Sequence, residues 1–283
     1  MKFGWMLFVL LIGFMGSSGC SGENDADKAP VNPSTLTKPE LQNEDSLKQL
    51  KYYRADRLPR YVDYIEKNPD WDAQKAVIYV NADLDKPFYT DVKVVSQPED
   101  ILVLCNKYYR LPEDYEPKDL VSVGRGYFLR AEAAAAYREM VQTALQQNLS
   151  FQLRSAYRSY PYQQGIYNRY VARDRKSKAD TYSARPGHSE HQTGLSFDIT
   201  QPVSGGTLSS ANFDKTPQFV WLSKHAHEYG FILRYPALKT HITGFVYEPW
   251  HYRYVGKEVA KRIYEQGLTF DEYTAMRPPS LLR

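Results

Sequence analysis

The sequence predicts an α+β domain in which helices flank a small central sheet, mostly antiparallel. Strand-like and helix-like runs do not alternate regularly along the chain, and several late strand-like runs (231–234, 245–248 and 250–255) lie close together. No self-similarity occurs at solenoid or propeller periods.

From the N-terminus, Lys2 precedes an apolar run over 3–15, and small residues lead to Cys20. Such a run is too short to cross a hydrocarbon core of about 30 Å. Its charged start, apolar middle and small-residue exit make 1–19 a cleaved export signal. Gly16-Ser17-Ser18-Gly19-Cys20 resembles a bacterial lipoprotein cleavage site, with Ser17 where an aliphatic residue is usual. Cys20 is therefore the expected lipidation site, anchoring the chain to the outer face of the cytoplasmic membrane. Residues 20–44 are polar and carry Pro30, Pro33 and Pro39, a composition that makes a tether rather than a folded unit. The organisation expected beyond it is an N-terminal lobe over 45–120, the main domain over 121–276 and a tail over 277–283.

Residues 58–67 read as a helix with Pro59 in its first turn and Leu58, Tyr61 and Ile65 on one side. The apolar runs 75–80 and 101–105 read as strands, the second containing Cys105 as a small apolar core residue. Alanine-rich 130–147 is a helix. Residues 151–154 form a strand, followed by a helix that Ser159 caps and that runs to about Arg175. Residues 176–187, with Pro186-Gly187, read as a surface loop. A strand over 195–200 and a helix over 219–229 stopped by Gly230 come next, then the three late strands. A helix over 258–266, ended by Gly267, closes the domain.

Charge narrows the function classes. The net charge is +3, with Lys and Arg interspersed among Asp and Glu rather than massed, so a nucleic-acid role has no support. The 24 tyrosines read as half-buried strand and helix positions.

The chemistry concentrates in two segments, Ser189-Glu190-His191-Gln192-Thr193-Gly194-Leu195-Ser196-Phe197-Asp198 and Glu248-Pro249-Trp250-His251. They supply two imidazoles and a carboxylate, plus a further carboxylate beside the last imidazole. A hydrolytic zinc site needs that inventory: three protein ligands, an open position for water and a base. His191 and Asp198 are an odd number apart, so one continuous strand would put them on opposite faces. Gly194 permits the bend that lets them meet. Asp198 otherwise sits awkwardly among Phe197 and Ile199, where an uncharged residue would be cheaper to bury. Pro249 biases Glu248 toward extended backbone. Of the other histidines, His225 and His227 lie two apart on a helix and cannot point together. His188 is placed at the rim of the site in a flexible loop, and His241 before a strand with no partner.

These segments resemble the signature of the VanY-type D-alanyl-D-alanine carboxypeptidase family, zinc peptidases that trim bacterial cell-wall peptides. The shared pattern is Ser-x-His, then Gly and Asp at set offsets, then Glu-x-x-His, with Ser155-Ala156-Tyr157-Arg158-Ser159 and Gln163 upstream. It spans roughly 121–273, and Ser196 departs from it where the family often has alanine. The resemblance implies the family's fold and one zinc ion held by His191, Asp198 and His251. It implies Glu248 as catalytic base, Arg158 at the reacting carbonyl, and Gln163 and Ser189 lining the substrate site. The implied substrate is a peptidoglycan stem peptide ending in D-alanine.

Three rival functions fit the sequence less well. Two histidines and a carboxylate also make the iron site of oxygenases, but those hold the first two ligands closer together and leave Glu248 without a task. A degenerate module that binds wall peptide without cutting it is opposed by retention of the base and all three ligands. Serine carboxypeptidase chemistry needs Ser-x-x-Lys and Lys-Thr-Gly; no serine here has lysine three positions on, and Lys239-Thr240 is followed by His241.

Overall fold

The computed structural model describes residues 44–202 and 212–278. The export signal, Cys20 and the tether to residue 43 lie outside the described residues, as do the last five residues of the tail. The elements in order are α1 (Glu44–Lys48), α2 (Leu58–Lys67), α3 (Ala73–Asn81), β1 (Lys93–Val94), β2 (Tyr109–Arg110), β3 (Leu120–Gly124), β4 (Tyr127–Arg130), α4 (Ala131–Gln146), β5 (Gln152–Ser155), α5 (Tyr160–Asp174) and α6 (Lys176–Ala179). They continue as β6 (Ser196–Thr200), α7 (Pro217–His225), β7 (Phe231–Leu233), α8 (Thr240–Thr243), β8 (His251–Tyr254), α9 (Lys257–Gln266) and α10 (Phe270–Ala275).

The central sheet has the order β5-β6-β8-β7, and every pairing in it is antiparallel. The α+β expectation holds. Side chains alternate across β6 and β8, so one face is apolar and the other carries charge. Phe197 pairs with Tyr252 on the apolar face. There Phe197 is fully buried, meeting Tyr137 of α4 and Phe231 of β7 edge to face and stacking on Tyr252. On the opposite face Ser196 pairs with Arg253 and Asp198 with His251.

Four sequence expectations are corrected. Residues 75–80 lie in helix α3, because the Asp72 carboxylate accepts from Lys75 N at 3.0 Å and caps it. Ala73, Ala76, Val77 and Val80 then share one buried helical face. Residues 101–105 are not a strand: the carbonyls of Ile101 and Val103 accept from Arg253 Nη2 at 2.9 and 3.0 Å instead of from a neighbouring strand. Residues 245–248 also lack a ladder, since Val246 N donates to Thr181 O while Glu248 N donates to Tyr235 O. The stretch 176–187 is not simply a surface loop: it holds α6, and Ala179, Ser183 and Gly187 are buried. The other helices fall where expected, with Ser159 capping α5 and left-handed Gly230 and Gly267 closing helical turns.

Residues preceding β3 pack against the sheet-bearing part at several points. Arg54 Nη2 donates to the carbonyls of Ala275 and Arg277, Asn106 Nδ2 to Asp271 Oδ1, and Lys107 Nζ to Gly244 O. Phe197→Ala would empty the centre of the aromatic core and should lower unfolding free energy by about 3–5 kcal/mol in urea titration; a loss below about 1 kcal/mol would show that the layer around Phe197 collapses to refill the space.

Candidate metal centre

His191 sits in a 3-10 turn (Glu190–Thr193) that Gly194 ends in left-handed conformation at φ 66°. That turn, immediately before β6, makes the bend the spacing required. A Cβ at Gly194 would lie 2.9 Å from Leu120 Cδ2 and 3.0 Å from Arg130 Cγ, so the position is closed to side chains by both space and backbone. His251 opens β8 directly opposite Asp198. One ligand atom from each of His191, Asp198 and His251 lies within 4.8 Å of the others.

The imidazole orientations are defined. His191 Nδ1–H donates to Ala156 O at 2.7 Å, which leaves Nε2 bare, 3.4 Å from Asp198 Oδ2 and without a hydrogen-bond partner. His251 faces the other way: Nδ1 lies 3.0 Å from Asp198 Oδ1 and 4.0 Å from Glu248 Oε2. Two buried nitrogens and a half-buried carboxylate, converging, fit the donor set of a catalytic zinc with a position left open. Cation binding would also satisfy the orphaned His191 Nε2.

Electrostatics follow from burial and crowding. Burial disfavours protonation of His191, with Arg158 adding to it, and holds its imidazole at about 4. His251 is buried too, but the Asp198 carboxylate bonded to it, with Glu190 and Glu248 nearby, outweighs desolvation and lifts it to about 9. Burial would raise Asp198, yet the two imidazoles hold its carboxyl well below the usual range. Glu248 is pushed up to about 8 by burial, with His251 pulling the other way.

A cleft of about 510 Å³ opens over these groups, lined also by Arg158, Gln163, Ser189 and Glu248. Arg158 lies between β5 and α5; its backbone N–H donates to His191 O at 3.1 Å and its Nε has no partner. Gln163, on the first turns of α5, donates through Nε2 to Ala184 O, and its Oε1 has no partner. The seven metal, catalytic and substrate residues singled out from the sequence thus line one cleft, while Cys20 lies outside the described residues.

Two histidine expectations are corrected. His188 is not at the rim of a flexible loop: it is 5% exposed, its Nδ1–H donates to Asn106 O at 2.7 Å and its ring meets Tyr89 edge-on. His241 does have a partner, Tyr79 Oη at 2.8 Å from its Nε2, and it lies on α8 rather than before a strand. His225 and His227 stay away from the cleft, His225 beside Glu228 and His227 stacked on Tyr264.

Sequence reasoning passed over Glu190, which is 1% exposed behind His251 and bonded to Arg234 and Arg253. A signal was present: Arg234 and Arg253 end or interrupt apolar strand segments, and a buried guanidinium requires a carboxylate.

The VanY family model, described as D-alanyl-D-alanine carboxypeptidase, matches residues 126–257. The chain is 40% identical over 205 residues to the putative carboxypeptidase YodJ of Bacillus subtilis, covering 67% of this chain and 75% of that one. The solved structure of the LdcB LD-carboxypeptidase aligns with a TM-score of 0.62 at 39% identity, covering 67% of this chain and 92% of that chain. A vancomycin-resistance D,D-pentapeptidase VanY in complex with Zn(II) aligns with a TM-score of 0.54 at 35% identity, covering 61% and 98%. Fold and donor set together define a zinc-dependent hydrolase of the carboxypeptidase kind. The chain belongs to the VanY family of D-alanyl-D-alanine carboxypeptidases.

Two outcomes are expected. The purified protein should carry about one zinc, and His191→Ala, Asp198→Ala and His251→Ala should each deplete it by elemental analysis; full occupancy in all three would refute the site. The second concerns His188, which burial holds at about 4 against about 6.5 in an unfolded chain. Between those values only the unfolded state takes up the proton, so this contribution is fully present above pH about 6.5. It is lost as pH falls toward 4, by at most about 1.4 kcal/mol per unit. His188→Gln keeps a donor for Asn106 O and should flatten that slope in unfolding titrations; an unchanged slope would assign the acid sensitivity elsewhere.

Proposed function

We propose that this protein removes the terminal D-alanine from peptidoglycan stem peptides. The observation that carries the reading is the convergence of His191, Asp198, His251, Glu248 and Arg158 on one cleft. His191 Nε2, Asp198 and His251 Nδ1 would hold the zinc. When bound, zinc would lower the pKa of water at the site from about 15.7 toward ~7. Glu248 would accept a proton from the attacking water and return it to the leaving amine. Its buried carboxyl suits a group that must exchange a proton near neutrality, and a cation nearby favours its ionised form. Arg158 offers a forked, permanently charged donor to the oxyanion developing on the attacked carbonyl. Gln163, with Oε1 free, and Ser189 line the cleft and would bind the peptide backbone.

The primary reading is a D,D-carboxypeptidase acting on pentapeptide stems. A second reading, an LD-carboxypeptidase acting on tetrapeptide stems, is supported by the likeness to LdcB. Mass spectrometry after incubation with each stem decides: loss of one alanine from the pentapeptide alone supports the first, from the tetrapeptide the second. Binding without release of alanine by the zinc-loaded protein would refute both.

Glu248→Gln should leave zinc content nearly unchanged while kcat falls about 10²–10⁴-fold or more and peptide binding persists. Parental turnover in that variant would remove Glu248 from the mechanism. Arg158→Lys keeps the charge but loses the fork, and should lower kcat/KM with zinc intact.

The lipid anchor at Cys20, and with it location at the outer face of the membrane, belongs to the same proposal. Its support is the Gly16–Cys20 sequence. Cys20→Ala should move the protein from the membrane pellet to the soluble fraction, because stable anchoring depends on the acyl chains; unchanged fractionation would exclude the anchor.

A further inference from the structure

Behind the metal face lies an ionic cluster cut off from solvent. The side chains of Glu190, Arg234 and Arg253 are 0% exposed and that of Asp271 is 3% exposed. Arg234 Nε and Arg253 Nη1 both donate to Glu190 Oε1, at 2.7 and 3.1 Å. Arg234 Nη1 donates to Asp271 Oδ2 at 2.7 Å, so two guanidinium charges face two carboxylates. The second oxygen of Glu190 is turned the other way. Its Oε2 lies 3.5 Å from His251 Nε2 and accepts from Ser196 Oγ at 3.3 Å.

Buried ion networks are weak sources of stability, since well-packed apolar side chains often do as well. This one divides its work between two oxygens: Oε1 is held by arginines and Oε2 is presented to a ligand imidazole. His191 has its outer nitrogen fixed by a backbone carbonyl, Ala156 O. His251 Nε2 has no hydrogen-bond partner among the described residues, and the carboxylate nearest it is Glu190, with Oε2 at 3.5 Å.

We infer that Glu190 is a positioning residue for the metal: when a cation displaces the proton that His251 Nδ1 shares with Asp198, Glu190 Oε2 holds the remaining proton on Nε2, while Arg234 and Arg253 hold the carboxylate in place. Metal-bound histidines commonly donate their other N–H to a carboxylate, which fixes the tautomer and the ring plane. The inference rests on the zinc reading of the site and goes beyond the ligand set. It also gives Ser196 a contact with the network, at the position where the family often has alanine.

Glu190→Gln is the direct test, because the two arginines dictate how the amide must sit. Both guanidinium donors need an acceptor at the Oε1 position, so the carbonyl oxygen goes there and the NH₂ is forced against His251. Donor then meets donor, and the imidazole relieves the clash by moving its proton to Nδ1, where it blocks the metal. Zinc affinity, measured by chelator competition, should weaken about 10–100-fold. Ser196→Ala leaves Oε2 to His251 and should keep parental affinity. A folded Glu190→Gln protein with parental zinc affinity would overturn the inference, as would an equal loss in Ser196→Ala, which would make any change at this spot sufficient. Should Glu190→Gln fail to fold, the zinc-loaded parental protein still decides through ¹⁵N correlation spectra of its histidine rings. His251 should show a proton on Nε2 protected from exchange; a proton on Nδ1 overturns the inference. A parental protein that binds no zinc at all would instead refute the metal reading itself.

Discussion

Asp198 and His251 are cross-strand partners on the two inner strands of the sheet, and the rest of the site is arranged around that pairing. Side chains alternate with period two along a strand, so the register that puts these two together also puts Phe197 and Tyr252 into the aromatic core behind them. A slip of one residue would send the carboxylate into the core and a phenylalanine into the cleft. The apolar layer thus selects the register and the metal face inherits it. β5 extends the same row: after a bulge between Leu153 and Ser155, Ser155 pairs with Asp198 on its other side. The chain then leaves the sheet toward Arg158, whose backbone N–H is tied to His191 O.

The sheet face that carries the ligands must bury charge, and it does so by balanced stages. Nearest the cleft, one carboxylate lies between two imidazoles. Behind it, the Glu190–Arg234–Asp271 chain is closed by Arg253, so each inner charge has an opposite neighbour. Removing one partner of such a set leaves an uncompensated buried charge, which is far more damaging than the net worth of any single pair. The ligand geometry is therefore stiff for a reason separate from hydrophobic packing. Rotating the His251 ring would also break its contacts with both Asp198 and Glu190.

Much of this was legible in the sequence where local rules coincide with tertiary ones. The two motif segments, the bend at Gly194, the capped start of α5 and the glycine stops at 230 and 267 each carry a local signature that tertiary contacts do not override. The failures share another cause. Residues 75–80 and 101–105 look alike as apolar runs, yet one is a helix started by the Asp72 cap and the other a strap whose carbonyls bond a distant arginine. Periodicity over five or six residues cannot separate these outcomes. Glu190 stood between two recognised motif residues, but its importance lies in partners 44 and 63 positions away. His188 was misplaced for the same reason, since its partner Asn106 is 82 residues upstream.

The strap at 101–107 has a consequence for how this protein can be divided. The stretch matched by the family model starts at residue 126, yet the carbonyls that satisfy Arg253 come from Ile101 and Val103, and Asn106 bonds both His188 and Asp271. The catalytic machinery is thus not a cassette with a clean upstream edge. A gene fusion or trimmed expression clone beginning at the family boundary would leave a buried guanidinium with two donors facing nothing, immediately behind the zinc ligands. Recombination that shuffled this domain among other proteins would have to carry those upstream residues with it, or find carbonyls elsewhere to replace them.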